Sequence, residues 1–261
     1  MATHSSTETV QIADGVSIPL VGFGTWQLAD NDAYNGVRTA LELGCRHVDT
    51  ATAYQNETRV GAAIRDSGIA REDIFITTKC PPGNAGHEAQ TIDQSLKDLG
   101  VDYIDLWLVH WPPNGEARPD TWKAFIEALE AGKTKSIGVS NYSVAQIDEL
   151  IEATGTAPVL NQIPWNPFAY DQSLVSGLAE RNVALEGYSP LKKSDLSNPV
   201  LAEIAAAHGK TAAQVILRWH VEHGFVVIPR SSRKERIQEN FDIFGFELSA
   251  DEVSAINGLS A

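Results

Sequence analysis

Short apolar or β-branched runs alternate along this chain with longer stretches in which apolar residues recur at helical spacing, and eight such pairs follow one another. The pattern predicts strands over Leu20–Gly24, His47–Asp49, Ile74–Lys79, Ile104–His110, Ser136–Ser140, Val159–Gln162, Val183–Tyr188 and Phe225–Pro229. Between them it predicts helices over Asp32–Leu43, Glu57–Ser67, Glu88–Leu99, Pro119–Glu130, Val144–Ala153, Gln172–Glu180, Pro199–His223 and Lys234–Phe241. Strand and helix in regular alternation, with no linker-like stretch between halves, describe a parallel α/β sheet in one domain over residues 1–261. Eight such units close into a (β/α)8 TIM barrel.

Local signals support these elements. Asp30, Asn31 and Asp32 are candidate caps for the first helix, Pro119 suits a first-turn position, and Ser249 with Glu252 forms a capping-box pattern ahead of an extra C-terminal helix. Thr9–Ile12 and Ser17–Pro19 flank an Asp14-Gly15 pair, which signals an N-terminal β-hairpin able to cap the bottom of the barrel. The competing architecture is a doubly wound open sheet. Its phosphate-binding turn would need a third glycine, and Gly22-Phe23-Gly24 does not have one.

Composition narrows the partners. Thirty-four Asp and Glu against 20 Lys and Arg leave a formal charge of −14, which repels nucleic acid and anionic membrane. The opening MATHSSTETV has neither a basic start nor an apolar run, and no apolar stretch reaches membrane length, so a cytoplasmic protein is expected. Cys45 and Cys80 stand apart in no Cys-x-x-Cys pair and are expected to form no disulfide.

In a barrel of this kind chemistry belongs to the carboxyl ends of the strands. There the sequence places Asp49, with Tyr54 shortly after, then Lys79 and His110, from three successive strands. Each alone has a bland reading: a helix cap, a loop aromatic, an ion pair, a hydrogen-bonded core histidine. Together they put several charges at the ends of apolar runs on one face, where burial without partners costs several kcal/mol. A phenol of ordinary pKa near ~10 becomes a useful proton donor and acceptor beside a lysine ammonium. Asp49 would hold that lysine, and His110 would donate to a substrate oxygen gathering charge. The set suits carbonyl reduction, with the hydride coming from a cofactor.

These residues resemble the aldo-keto reductase family. The likeness runs through GFGTW at 22–26, HVDTATAYQNE at 47–57, ITTK at 76–79, LVHWP at 108–112, SIGVSN at 136–141, NQI at 161–163, YSPL at 188–191 and IPRSSRKERIQEN at 228–240. Among subgroups it is most similar to compact prokaryotic reductases of the 2,5-diketo-D-gluconic acid reductase type. The resemblance implies a catalytic tetrad of Asp49, Tyr54, Lys79 and His110 with Tyr54 as general acid. It implies NADPH/NADP+ as cofactor, with Ser140, Asn141 and Gln162 on the nicotinamide carboxamide and Tyr188 stacked under the ring. Thr25, Ser189 and Leu191 complete the cofactor residues near the strand ends.

Arg230-Ser231-Ser232-Arg233-Lys234-Glu235-Arg236 carries four basic residues in seven, after the eighth strand and at a helix start. A charge run is ordinarily a solvated helix face, but this one stands where such barrels bind phosphate. By the resemblance, Arg230, Ser231 and Arg236 contact the 2′-phosphate, with Glu239 and Asn240 near the adenine; guanidinium forks suit a dianion approaching an acidic protein. NADPH is thereby preferred to NADH.

Trp26 and Trp111, just beyond strands one and four, are expected to wall the substrate pocket together with Tyr54 and His110; Trp165 and Phe168 are weaker candidates. The chain departs from the family at Pro164-Trp165-Asn166, Cys80-Pro81 and Lys192, beside the site. With the chain ending soon after the terminal helix, a relatively open pocket for small aldehydes, ketones or dicarbonyls is expected, in a monomer. His220 and His223 share a helical spacing but have no third ligand, so no metal is expected. The alternatives are a cofactor-binding regulatory or sensor protein on the same scaffold, as potassium-channel β-subunits resemble this family, and a barrel aldolase using Lys79 as a Schiff base.

Overall fold

The computed structural model describes residues 8–260, so most of the opening segment read for a leader lies outside the described residues. The described residues begin with an antiparallel hairpin of β1 (Thr9–Ala13) and β2 (Val16–Pro19), turned at Gly15, whose φ of +72° suits glycine. Eight parallel strands follow: β3 (Phe23–Gly24), β4 (His47–Asp49), β5 (Phe75–Cys80), β6 (Leu106–Val109), β7 (Ile137–Ser140), β8 (Leu160–Pro164), β9 (Ala184–Tyr188) and β10 (Val226–Ile228). They are hydrogen-bonded in sequence order from β3 to β10.

The two ends of that sheet meet. Val21 bridges Val227 in parallel, and Gly22 N–H to Val227 O at 2.9 Å, Val227 N–H to Leu20 O at 2.8 Å and Gly24 N–H to Pro229 O at 3.1 Å carry the ladder around. A sheet with no free edge is a barrel, and the open doubly wound alternative is excluded. Closure brings backbone and side chain so near at Gly22 that an added Cβ would lie 2.4 Å from His47 Nδ1.

Hydrophobic sides of the helices cover the barrel as the periodicity predicts: α1 (Asp30–Glu42), α2 (Glu57–Asp66), α3 (Glu88–Leu99), α4 (Pro119–Glu130), α5 (Val144–Thr154) and α6 (Gln172–Ala179) in turn. Two expectations change. The long helix over Pro199–His223 is two helices, α7 (Pro199–His208) and α8 (Ala212–Glu222), because Gly209 adopts φ +62° and Thr211 with Gln214 forms a capping box. In α1 no aspartate caps: Ala29 is the cap residue, and Asp30 and Asp32 sit in the first turn, where they favour the helix dipole. After α9 (Lys234–Phe241), Ser249 and Glu252 form the expected box at α10 (Ala250–Asn257).

Ile12 and Ile18 of the hairpin pack with Phe75, Leu106, Leu160 and Val226, residues at or near the starts of their strands. The amino end of the barrel is thus plugged by apolar side chains, and polar residues concentrate toward the carboxyl ends.

Candidate active site

Asp49 ends β4 and Lys79 is the penultimate residue of β5, one strand over. Lys79 Nζ is fully buried and lies 2.7 Å from each Asp49 carboxylate oxygen and 2.8 Å from Thr50 O, with the Tyr54 hydroxyl as a further partner. Burial by itself would lower the lysine pKa, but the Asp49 carboxylate, helped by Tyr54 and Glu186, more than offsets it and holds Lys79 above the ordinary range. Burial likewise pushes the Asp49 carboxyl up, opposed by Lys79 and by the Gln162 amide at 2.8 Å. At 2.7 Å the two groups form a buried ion pair.

Tyr54 closes the short 3-10 turn Thr52–Tyr54 after β4, and the Lys79 ammonium faces its ring, 5.2 Å from Nζ to centroid. The sequence suggests that lysine makes this phenol acidic. In the structure burial dominates and the phenol stands above its ordinary value, with Lys79 pulling it down and Asp49 and Glu186 pushing it up. Tyr54 therefore keeps its proton at neutral pH. His110, just past β6, meets Tyr54 edge-on with centroids 5.6 Å apart. Burial, then the Lys79 charge, pushes its imidazole down to about 3, so it is neutral and offers one ring N–H.

The residues assigned to the nicotinamide also gather here. Ser140 Oγ donates to Gln162 O at 2.8 Å, the Asn141 amide donates to Ser140 Oγ and His110 O, and Tyr188 OH donates to Asn141 Oδ1 at 2.9 Å. Asn141 holds φ +65°, which asparagine tolerates. Thr25 has no exposed surface; its hydroxyl and its N–H both donate to Asp49 O, so it fastens the end of β4. Arg230 and Arg236 are exposed at the start of α9, with Arg230 bonded to Gln27 Oε1, and the buried Ser231 accepts from Arg233 N–H. Asn240 is buried, and Glu239 accepts from the Thr211 hydroxyl.

Trp26 and Trp111 are the most exposed of the described tryptophans, 40% and 48%, at the mouth, and Lys192 lies over the Trp26 ring at 4.8 Å. Ser189 and Leu191 are half-buried on the same loop as Lys192. Trp165 is a correction: it is 2% exposed and packs on Tyr170 and Phe225, because the segment after β8 turns it into the core.

Sequence reading missed Glu186 and Asn56. Glu186, fully buried in the middle of β9, shares the Gln162 amide with Asp49, and the signal was an acid inside the apolar run Val183–Tyr188. Asn56 ties the Trp26 loop to the Tyr54 turn, donating to Thr25 O and Leu28 O and accepting from Thr50 Oγ1.

The Aldo/keto reductase family model matches residues 20–261. The crystal structure of an aldo/keto reductase from Brucella melitensis superposes with a TM-score of 0.93 at 46% identity, covering 97% of this chain and 99% of that one. A Bombyx mori aldo-keto reductase, solved in complex with NADP, superposes with a TM-score of 0.89 at 33% identity, covering 98% and 94%. Glycerol 2-dehydrogenase (NADP(+)) of Saccharomyces cerevisiae is 38% identical over 289 residues, covering 98% of this chain and 92% of the yeast protein. Matched over nearly its whole length in both sequence and fold, this chain belongs to the aldo/keto reductase family, a family of oxidoreductases.

Proposed function

We propose that this chain is an NADPH-dependent reductase of small aldehydes, ketones or dicarbonyls, with Tyr54 as the general acid. The observation that carries the reading is the buried Lys79–Asp49 pair facing the Tyr54 ring. A protonated phenol at the mouth has a cation beside it ready to stabilise the phenolate left when it donates. Similarity to relatives whose names and titles carry NADP favours NADPH.

The residues present fit a phosphorylated dinucleotide. Arg230 and Arg236 stand exposed at the α9 amino end, suited to a 2′-phosphate, and Tyr188 is a half-buried ring beside Asn141. When bound, that cofactor supplies hydride to the carbonyl carbon. Tyr54 OH gives its proton to the carbonyl oxygen, His110 donates a hydrogen bond to the same oxygen through its neutral ring, and Asp49 keeps Lys79 in place. The carbon gains hydride, the oxygen gains a proton, and an alcohol results. Trp26 and Trp111 present apolar faces to the substrate's substituents.

On this reading residues 1–261 act as one cytoplasmic, monomeric domain; among the described residues no helix is long and apolar enough to cross a membrane. Following NADPH absorbance with glyoxals, aldehydes and keto acids tests the proposal. Tyr54→Phe should lower kcat by about 10²–10⁴-fold while NADPH still binds. Unchanged turnover in that variant refutes the mechanism, and a wild-type chain that binds NADPH yet reduces nothing favours a regulatory role.

A further inference from the structure

Beneath the tetrad lies a second carboxyl group with no ammonium of its own. Gln162 and Glu186 are register partners on β8 and β9, so their side chains stand side by side on the inner face of the barrel. Gln162 Nε2 donates to Asp49 Oδ2 at 2.8 Å and to Glu186 Oε2 at 3.0 Å. Glu186, Gln162, Asp49 and Lys79 thus form one continuous chain, each 2% exposed or less, that ends facing Tyr54.

Lys79 spends its donors on Asp49, Thr50 and the Tyr54 hydroxyl rather than on Glu186. Glu186 Oε1 makes no hydrogen bond. The basic nitrogen facing it is His47 Nε2 at 3.8 Å, already 3.0 Å from Thr77 Oγ1. The ionisable groups around Glu186 are therefore His47 and Asp49 from β4, Lys79 from β5 and Tyr54 from the following turn. Its register partners contribute only the uncharged Gln162 and the apolar Val226. A buried carboxylate so placed, beside another, is costly unless it holds a proton.

We infer that Glu186 is a positioning residue: through the shared Gln162 amide it holds Asp49 against Lys79, and by losing its own proton it sets the alkaline limit of carbonyl reduction. This rests on the function proposed above. With Glu186 protonated, the chain carries no net charge and the Lys79 ammonium is the stronger influence on Tyr54. With Glu186 ionised, a further negative charge makes the phenol harder to deprotonate, and proton delivery to the substrate oxygen slows. Burial, reinforced by Asp49, raises the Glu186 carboxyl to about 8, which puts this change in an accessible range.

Glu186→Gln keeps an acceptor for the Gln162 amide and removes the titration. Its alkaline limb in kcat against pH should move up by about one unit or more while KM for NADPH changes less than about two-fold. Glu186→Met, which also removes the acceptor, should move the limb likewise and lower kcat by a further factor of about ten as Asp49 loses its brace. A limb unmoved in either folded variant that retains turnover overturns the inference alone; a wild type without carbonyl turnover removes the parent reading.

Should neither variant fold, infrared titration with isotope-labelled glutamate decides the proton without turnover. It uses a Glu57→Gln background, because Glu57 is the other buried glutamate raised by burial. A protonated carboxyl band lost near pH 8 supports the inference, and its absence refutes it.

Discussion

Replacing Lys79 by Met removes the charge that favours the Tyr54 phenolate and leaves the buried Asp49 with the Gln162 amide. The catalytic loss can be worked from the geometry. At the 5.2 Å between Nζ and the ring centroid, a unit charge pair in an effective dielectric of about 20 interacts by about 3 kcal/mol. If that stabilisation is fully present when the proton has transferred, kcat falls by roughly 200-fold. Stability falls as well, by about 3–5 kcal/mol, because breaking a buried pair strands its partner; protonation of Asp49 relieves part of that cost as pH falls. NADPH-monitored turnover at saturating substrate, thermal unfolding and fluorescence-detected NADPH binding separate the three effects. A folded Lys79→Met protein with wild-type kcat would mean that the ammonium does not support proton transfer, and the electrostatic account of Tyr54 would fall with it.

Two other outcomes follow from named groups. Arg236→Ala should weaken NADPH by about 10–100-fold with little effect on NADH, the worth of one or two charge-assisted hydrogen bonds, so the ratio of kcat/KM values for the two cofactors checks the phosphate assignment. His47, fully buried, is pushed down to about 3, first by burial and then by Lys79. The unfolded chain protonates this histidine near its ordinary value of ~6.5 while the folded chain does not. Its contribution to stability is thus present above that value and lost as pH falls toward 3, by about 1.4 kcal/mol per unit once the unfolded histidine is charged. Denaturant titrations between neutral pH and about 4.5 should show a shallower decline in His47→Gln than in wild type; parallel slopes would exclude His47 as the source.

Much of the architecture was legible in the chain because its signals are local. Alternating apolar periods announce strand and helix, Asp14-Gly15 announces the hairpin, and Ser249 with Glu252 announces the last helix start. Gly209 with Thr211 and Gln214 carried an equally local signal for the break between α7 and α8, masked by the apolar period on either side. The aspartates before α1 looked like caps because composition names the residue type, whereas capping depends on the backbone angles at one position. Placing Asp49, Lys79 and His110 at one face needed only the rule that strand ends share a rim.

What the sequence determined by itself was the alternation that makes a barrel and the polar residues that end its strands, since both arise from interactions between near neighbours. Closure and the interior network were decided in three dimensions. Asp49 and Gln162 lie 113 positions apart in sequence and meet only because β4 and β8 face each other across the closed barrel. The same closure buries Glu186 with no ammonium free and raises rather than lowers the Tyr54 phenol. Desolvation depends on everything that surrounds a group, and no stretch of chain carries that sum.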